Sequence, residues 1–268
     1  MSRLSLALDT PDLARHYEQA SVDRQFKSGK QLIERLGIQP GARVLDVGAG
    51  TGLLAAHVAD LVGAGGAVTA IDPLPLRIEI AKLKSRANLT FAVGDAYELS
   101  GFADGSFDVV YLNAVFHWFP EKEKPLASFF RLLTKGGKLG IATGSREHPS
   151  RLHAVQRKVL ARAPYDQHVQ PEVGLPHRVS AAELGALLKG AGFVVESLEI
   201  QPNTTVHPTL EAAVEHSQAS SFGNFLGHLP EPLRSQARAE ILTELAQYKT
   251  SEGYEQEGAR LIAVATRA

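Results

Sequence analysis

Val44-Leu45-Asp46-Val47-Gly48-Ala49-Gly50-Thr51-Gly52 joins a run of strand-forming apolar residues, one carboxylate and three alternating glycines, and a helical pattern opens at Leu53. A strand that ends in such a loop lets a ligand come close to the backbone, because glycine tolerates unusual φ values and has no Cβ to obstruct contact. Loops of this kind lie at the carboxyl end of a parallel strand, which is the binding crevice of open α/β sheets. The spacing is G-x-G-x-G, unlike the G-x-G-x-x-G dinucleotide fingerprint, and no Gly-Lys-Ser/Thr follows to make a P-loop. Asp46 beside the loop repels a pyrophosphate and favours a ligand that carries positive charge.

Outward from this stretch the chain alternates short β-branched runs with helical ones. Strands are predicted over 43–47, 67–71, 89–93, 107–112 and 138–143, with helices over 53–62, 74–84 and 121–133 between them. Such spacing implies right-handed βαβ units and a parallel sheet covered on both faces. Before the first strand, 11–36 reads as helical, with Gly37 as its stop. After Thr143 the pattern predicts helices at 152–161, 181–188 and 210–248, a strand at 193–200 and a last strand at 260–266.

Acids recur at successive strand ends. Asp72 closes the second strand, where a carboxylate can take both hydroxyls of a ribose, and Asp95 follows the third, placed for an exocyclic amine. Together with Asp46 they point to an adenosine bearing a cationic tail. Composition narrows the classes further. The 268 residues contain no Cys, which excludes disulfides, thiolate metal sites and a Cys nucleophile. With 28 Lys+Arg against 29 Asp+Glu, nothing draws the chain as a whole to nucleic acid or an anionic membrane. No apolar run approaches the roughly 20 residues of a membrane span. A cytoplasmic protein without membrane insertion, acting as a monomer or homodimer, is expected.

The succession VLDVGAGTG (44–52), AVTAID (67–72), GDA (94–96), FDVVYLNAVFHW (107–118) and LLTKGGKLGIAT (132–143) resembles the class I S-adenosylmethionine-dependent methyltransferases. The resemblance covers about residues 25–145 and, less specifically, 191–200 and the final strand. It implies a Rossmann-like doubly wound α/β sheet of seven strands in order 3-2-1-4-5-7-6, the seventh antiparallel. It also implies S-adenosyl-L-methionine as cofactor, held by Asp46, Gly48, Ala49, Gly50, Thr51 and Gly52. Asp72 with Pro73 would serve the ribose, and Gly94, Asp95 and Ala96 the adenine. Tyr17 and Asn113 complete the expected cofactor set. Among subfamilies the chain looks like the small-molecule branch, whose members methylate O, N or C. The similar arsenite enzymes act through cysteines, which this chain lacks.

Methyl transfer from a sulfonium is an in-line displacement that depends on alignment in a dry pocket, with a base needed only where the acceptor must lose a proton. His117 is the candidate base or acceptor-orienting residue, and Phe116, Trp118 and Phe119 form an aromatic cluster that is a candidate for stacking the acceptor. His148, His153, His168 and His177 have irregular spacing and no accompanying acidic set, so no metal site is expected; one or two of them are expected in the acceptor pocket. The whole chain, 1–268, reads as a single domain. It divides into N-terminal lid helices (1–36), a cofactor-binding core (40–145) and acceptor-cap segments (145–180 and 208–250). The competing functions are a methyltransferase-like protein repurposed for another reaction and an NAD-dependent oxidoreductase, which the glycine spacing disfavours.

Overall fold

The computed structural model describes residues 25–168, 176–220 and 226–268. Tyr17 and the first part of the expected lid lie outside these residues. The chain runs through α1 (Lys27–Leu36), β1 (Arg43–Val47), α2 (Leu53–Val62), β2 (Ala67–Asp72), α3 (Pro75–Lys82), β3 (Leu89–Val93) and β4 (Phe107–Asn113). It continues through α4 (Glu123–Leu132), β5 (Leu133–Gly144), α5 (Arg151–Leu160), α6 (Ala181–Gly190) and β6 (Phe193–His207). α7 (Leu210–Ser220), α8 (Glu231–Leu245), β7 (Lys249–Thr250) and β8 (Gly253–Arg267) complete it.

The strands lie in the order β3-β2-β1-β4-β5-β8-β6. β1, β2, β3, β4 and β5 pair in parallel, and β8 runs antiparallel to both β5 and β6. This is the expected path, with the last strand antiparallel. The two-residue β7 is an addition, folding back on β8 through Thr250↔Gly253.

Alternation along each central strand decides which face a side chain serves. Val44 of β1, Val109 and Tyr111 of β4 join Leu32, Ile33 and Leu36 of α1 and Val58 of α2 in one core. Leu45 and Val47, with Val110, Leu112 and Ile141, face the opposite core under α4 and α6, where Phe129 and Leu184 are fully buried. The helix α1 stops at Gly37, whose left-handed conformation (φ 60°) lets its N–H cap Ile33 and Glu34.

Two expectations need correction. The helix expected over 210–248 is interrupted, because Pro230 and Pro232 lack the N–H that a continuous helix requires; α8 starts afresh at Glu231 with a proline in its first turn. The last two strands are also longer than the apolar pattern predicts. β6 and β8 pair from Phe193↔Arg267 to His207↔Tyr254, so their polar halves form a ribbon extending past the sheet. This ribbon supports a third core, in which Leu152, Val159, Val214, Ile241, Leu245 and Tyr254 are buried among α5, α7 and α8. Among the described residues no helix is long and apolar enough to cross a membrane.

Candidate active site

The glycine loop between β1 and α2 is held from the neighbouring strand. Gly48 and Ala49 both donate N–H to Ile71 O, at 2.7 and 2.9 Å. Gly50 N donates to Asp72 Oδ2 at 2.9 Å, and Leu74 N donates to Asp72 Oδ1 at 3.0 Å. Asp72 is 1% exposed, so its first role is to lock the loop to the start of α3. Each carboxylate oxygen has a second lone pair with which to accept from a ligand hydroxyl. At Gly48, φ is 81° and an added Cβ would sit 2.3 Å from Val115 Cγ2, so only glycine satisfies both backbone and space.

Asp46 leaves the end of β1 on the α1 side of the sheet and is 2% exposed. Tyr111 Oη donates to its Oδ2 at 2.5 Å. Burial raises its pKa from 3.8 to about 7, the Tyr111 hydrogen bond opposes this, and the charge of Asp72 adds to it. A carboxyl poised in this way is readily re-ionised by a cation placed against it. Gln25, Asp46, Ala49, Thr51 and Asn113 line a pocket above the loop, and Asn113 Nδ2 donates to Gln25 O at 3.1 Å.

On the other side of Gly48 is a slot walled by Pro73, Gly94, Asp95, Ala96 and Trp118. Asp95 Oδ1 accepts from Tyr97 N at 3.0 Å, which fixes the turn after β3. Tyr97 and Val115 also wall the slot and were not anticipated, and Phe119, expected among the acceptor-stacking aromatics, walls this slot and not the cavity; only the packing of the loop after β3 against the turn after β4 brings them together. Tyr97 Oη donates to Glu121 O at 2.6 Å, and its ring meets Phe119 edge-on.

A third space, of about 690 Å³, opens between the carboxyl ends of β4 and β5 and the cap. His117, Trp118, Asn113 and Thr143 are in its wall. His117 Nδ1 lies 3.0 Å from Thr143 Oγ1. Burial lowers the His117 pKa to about 3, with further contributions from Arg178, Lys122 and His153, so the imidazole is neutral over the ordinary pH range. Ala114 between Asn113 and Val115 adopts φ 61°, a costly conformation for a residue with a Cβ, in the cavity wall.

The acceptor-stacking expectation for Phe116 does not hold. Phe116 is 0% exposed, edge-on to Phe119 and beneath Lys122 Nζ, which donates to the carbonyls of Phe116 and Phe119. The one-turn 3₁₀ segment Phe116–Trp118 turns successive side chains apart, so His117 and Trp118 face the cavity while Phe116 enters the core. Of the four histidines after β5, His148, His153 and His177 line the cavity.

Residues 45–141 match the family described as a methyltransferase domain. Nocamycin O-methyltransferase of Saccharothrix syringae is 28% identical over 253 residues, covering 88% of this chain and 89% of that one. Demethylmenaquinone methyltransferase of Renibacterium salmoninarum is 36% identical over 132 residues, 49% of this chain; the match spans about half (54%) of that relative's length. The fold of Haemonchus contortus phosphoethanolamine N-methyltransferase 2, solved with S-adenosyl-L-methionine, superposes with a TM-score of 0.61 at 18% identity, covering 96% of this chain and 57% of that one.

Proposed function

Because the chain belongs to the class I S-adenosylmethionine-dependent methyltransferase superfamily, we propose that it methylates O, N or C of a small molecule held in the 690 Å³ cavity. One observation carries this reading: the three spaces are contiguous. Gly48 is shared by the loop pocket and the slot, Asn113 by the loop pocket and the cavity, and Trp118 by the slot and the cavity. A ligand with a flat base at one end and a charged tail at the other would span the first two spaces, with its middle at the mouth of the third.

The residues present fit such a cofactor. The methionine end would meet the loop and Asp46, the ribose Asp72, and the adenine the slot beside Asp95 and Ala96. When bound, the cofactor supplies an electrophilic methyl group on a sulfonium. The chain's own part is alignment and exclusion of water. In the tautomer whose Nδ1–H donates to Thr143 Oγ1, His117 Nε2 is a neutral hydrogen-bond acceptor that orients the acceptor's X–H group, and its low basicity favours this orienting role over that of a base. The ribbon of β6 and β8, with α5, α7 and α8, forms the cap of a single domain, closing the cavity over the acceptor.

Calorimetry of the chain with S-adenosylmethionine, S-adenosylhomocysteine and NAD tests the assignment. Micromolar binding of the first two and none of NAD is expected; binding of NAD alone overturns it. Methyl release across an acceptor screen then separates a transferase from a cofactor-binding protein put to other use.

Asp46 makes the cofactor affinity depend on pH. A cationic tail favours the ionised carboxylate, so affinity rises as pH increases through about 7, and binding near pH 7 releases a proton. Without cofactor the sign reverses. An acid with a raised folded pKa stabilises the fold below its unfolded value, and that contribution is lost as pH climbs toward 7. The shift from 3.8 to about 7 corresponds to roughly 4 kcal/mol. Asp46→Asn is expected to raise the Tm of the cofactor-free chain at pH 8, to flatten its fall between pH 5 and 7, and to weaken S-adenosylhomocysteine binding about tenfold or more. Melting curves and titrations across pH 5.5–8.5 measure all three effects.

A further inference from the structure

The cavity wall has an asymmetric charge. Among the described residues Arg146, Arg157, Arg178 and Arg260 line it, against a single carboxylate, Glu257. Glu257 is already within 3.2 Å of Arg151, and Arg146 is within 2.6 Å of Glu183, both ion pairs being largely exposed. Arg260 reaches the amide oxygens Gln31 Oε1 and Gln201 Oε1, at 2.8 and 3.0 Å.

Arg178 is the one built into place. The backbone on either side of it is pinned: His177 N donates to His117 O at 2.6 Å, and Arg146 N donates to Val179 O at 3.0 Å. Its guanidinium sits over the end of β5, where a Cβ on Gly144 would come within 3.2 Å of Nε. Its Nη2 donates to His153 Nδ1 at 3.0 Å, so that nitrogen carries no proton and His153 turns Nε2 toward Ser217 Oγ, 3.5 Å away. Gly144, against which the guanidinium lies, directly follows Thr143, the partner of His117 Nδ1, so Arg178 and His117 border the same stretch of the cavity wall.

From this arrangement we infer that the ligand of the cavity bears an oxyanion, a carboxylate or a phosphate monoester, received by Arg178. The inference rests on the methyl-transfer function in taking that ligand to be the acceptor. A planar guanidinium held in one orientation receives two oxygens of such a group in parallel. The neighbouring guanidiniums add a field that favours anions over neutral molecules of the same shape. The atom to be methylated then lies on the oxyanion itself or within a few bonds of it, because Arg178 and His117 border the same part of the wall.

The test uses the full chain saturated with S-adenosylhomocysteine and a calorimetric panel of matched pairs. Aryl and alkyl carboxylic acids and aryl phosphate monoesters are each set beside the corresponding methyl ester, amide or alcohol. Acids are expected to bind about 10- to 100-fold more tightly than their neutral partners, and to weaken as salt is raised. The two arms tell carboxylate from phosphate. Arg178→Gln is expected to erase the preference while leaving S-adenosylhomocysteine affinity unchanged, and Arg178→Lys to restore part of it. Neutral members that bind as well as the acids, or a panel from which no acid binds, overturn the inference. If Arg178→Gln fails to fold, the paired comparison on the unmodified chain and its salt dependence decide the question. Repeating the panel without S-adenosylhomocysteine separates the two readings. An anion preference in a chain that binds no cofactor overturns methyl transfer alone, and cofactor binding with no anion preference overturns this inference alone.

Discussion

Asp72→Ala is expected to lower the affinity for S-adenosylhomocysteine by at least about 100-fold and to reduce the stability of the cofactor-free chain. Two backbone donors, Gly50 N and Leu74 N, lose their acceptor in a place that water does not reach freely. Each buried donor left without a partner costs about 1–3 kcal/mol. The loop then loses one of its two ties to β2, keeping only the bonds to Ile71 O. A ligand must reorder the loop as it binds and also forgoes the lone pairs that would receive the ribose hydroxyls. Asp72→Asn separates the two contributions. It retains one acceptor oxygen but turns an NH₂ group toward the other donor, so part of the stability returns without the affinity. Titration calorimetry and melting curves on both variants are the measurements. Unchanged affinity in Asp72→Ala would remove Asp72 from the cofactor site.

The second large effect is on rate. His117→Ala is expected to lower kcat about 100-fold or more, with S-adenosylhomocysteine affinity unchanged. The residue lies in the cavity wall and outside the loop pocket and the slot. Its pKa, lowered to about 3, predicts a further signature. The neutral imidazole is present at every pH above that value, so no inflection between pH 5 and 8 arises from His117; any slope there belongs to the acceptor or to Asp46. His117→Gln distinguishes two roles. Glutamine can accept and donate hydrogen bonds but cannot take a proton at neutral pH, so it rescues an orienting role and leaves a base role lost. A rate indifferent to both substitutions ends the case for His117.

The cofactor half of the molecule was legible because its signals are local. Gly48, Gly50 and Gly52 adopt positive φ, a requirement written at the residue itself, and the strand-end positions of Asp46, Asp72 and Asp95 follow from short β-branched runs. The polar halves of β6 and β8 carried no such signal. The ladder between them extends past the two cores that cover the sheet, its outward residues alternate with others only half-buried, and strand pairing over a long loop leaves no periodic trace in either segment alone. Phe116 was misplaced for a related reason. Which face of a single 3₁₀ turn enters the core depends on what packs against it, here Phe119 and Lys122.

The sequence by itself determined the succession of βα units, the glycine loop with its acids, and hence the cofactor class, since each depends on contacts within one βα unit or between successive units; the strand order, in which β1 pairs with β4, came only with the family resemblance. Only the tertiary structure decided the character of the acceptor cavity. Its arginines and histidines come from the turn after β4, the segment after β5, α5, the segment before α6, and β8, spread over more than 100 residues of the chain. Spread over the sequence they form no motif, and charge balance across 268 residues conceals them. Folding concentrates the positive charge because the cap's apolar side chains enter their own core, leaving these polar side chains at the boundary with the sheet.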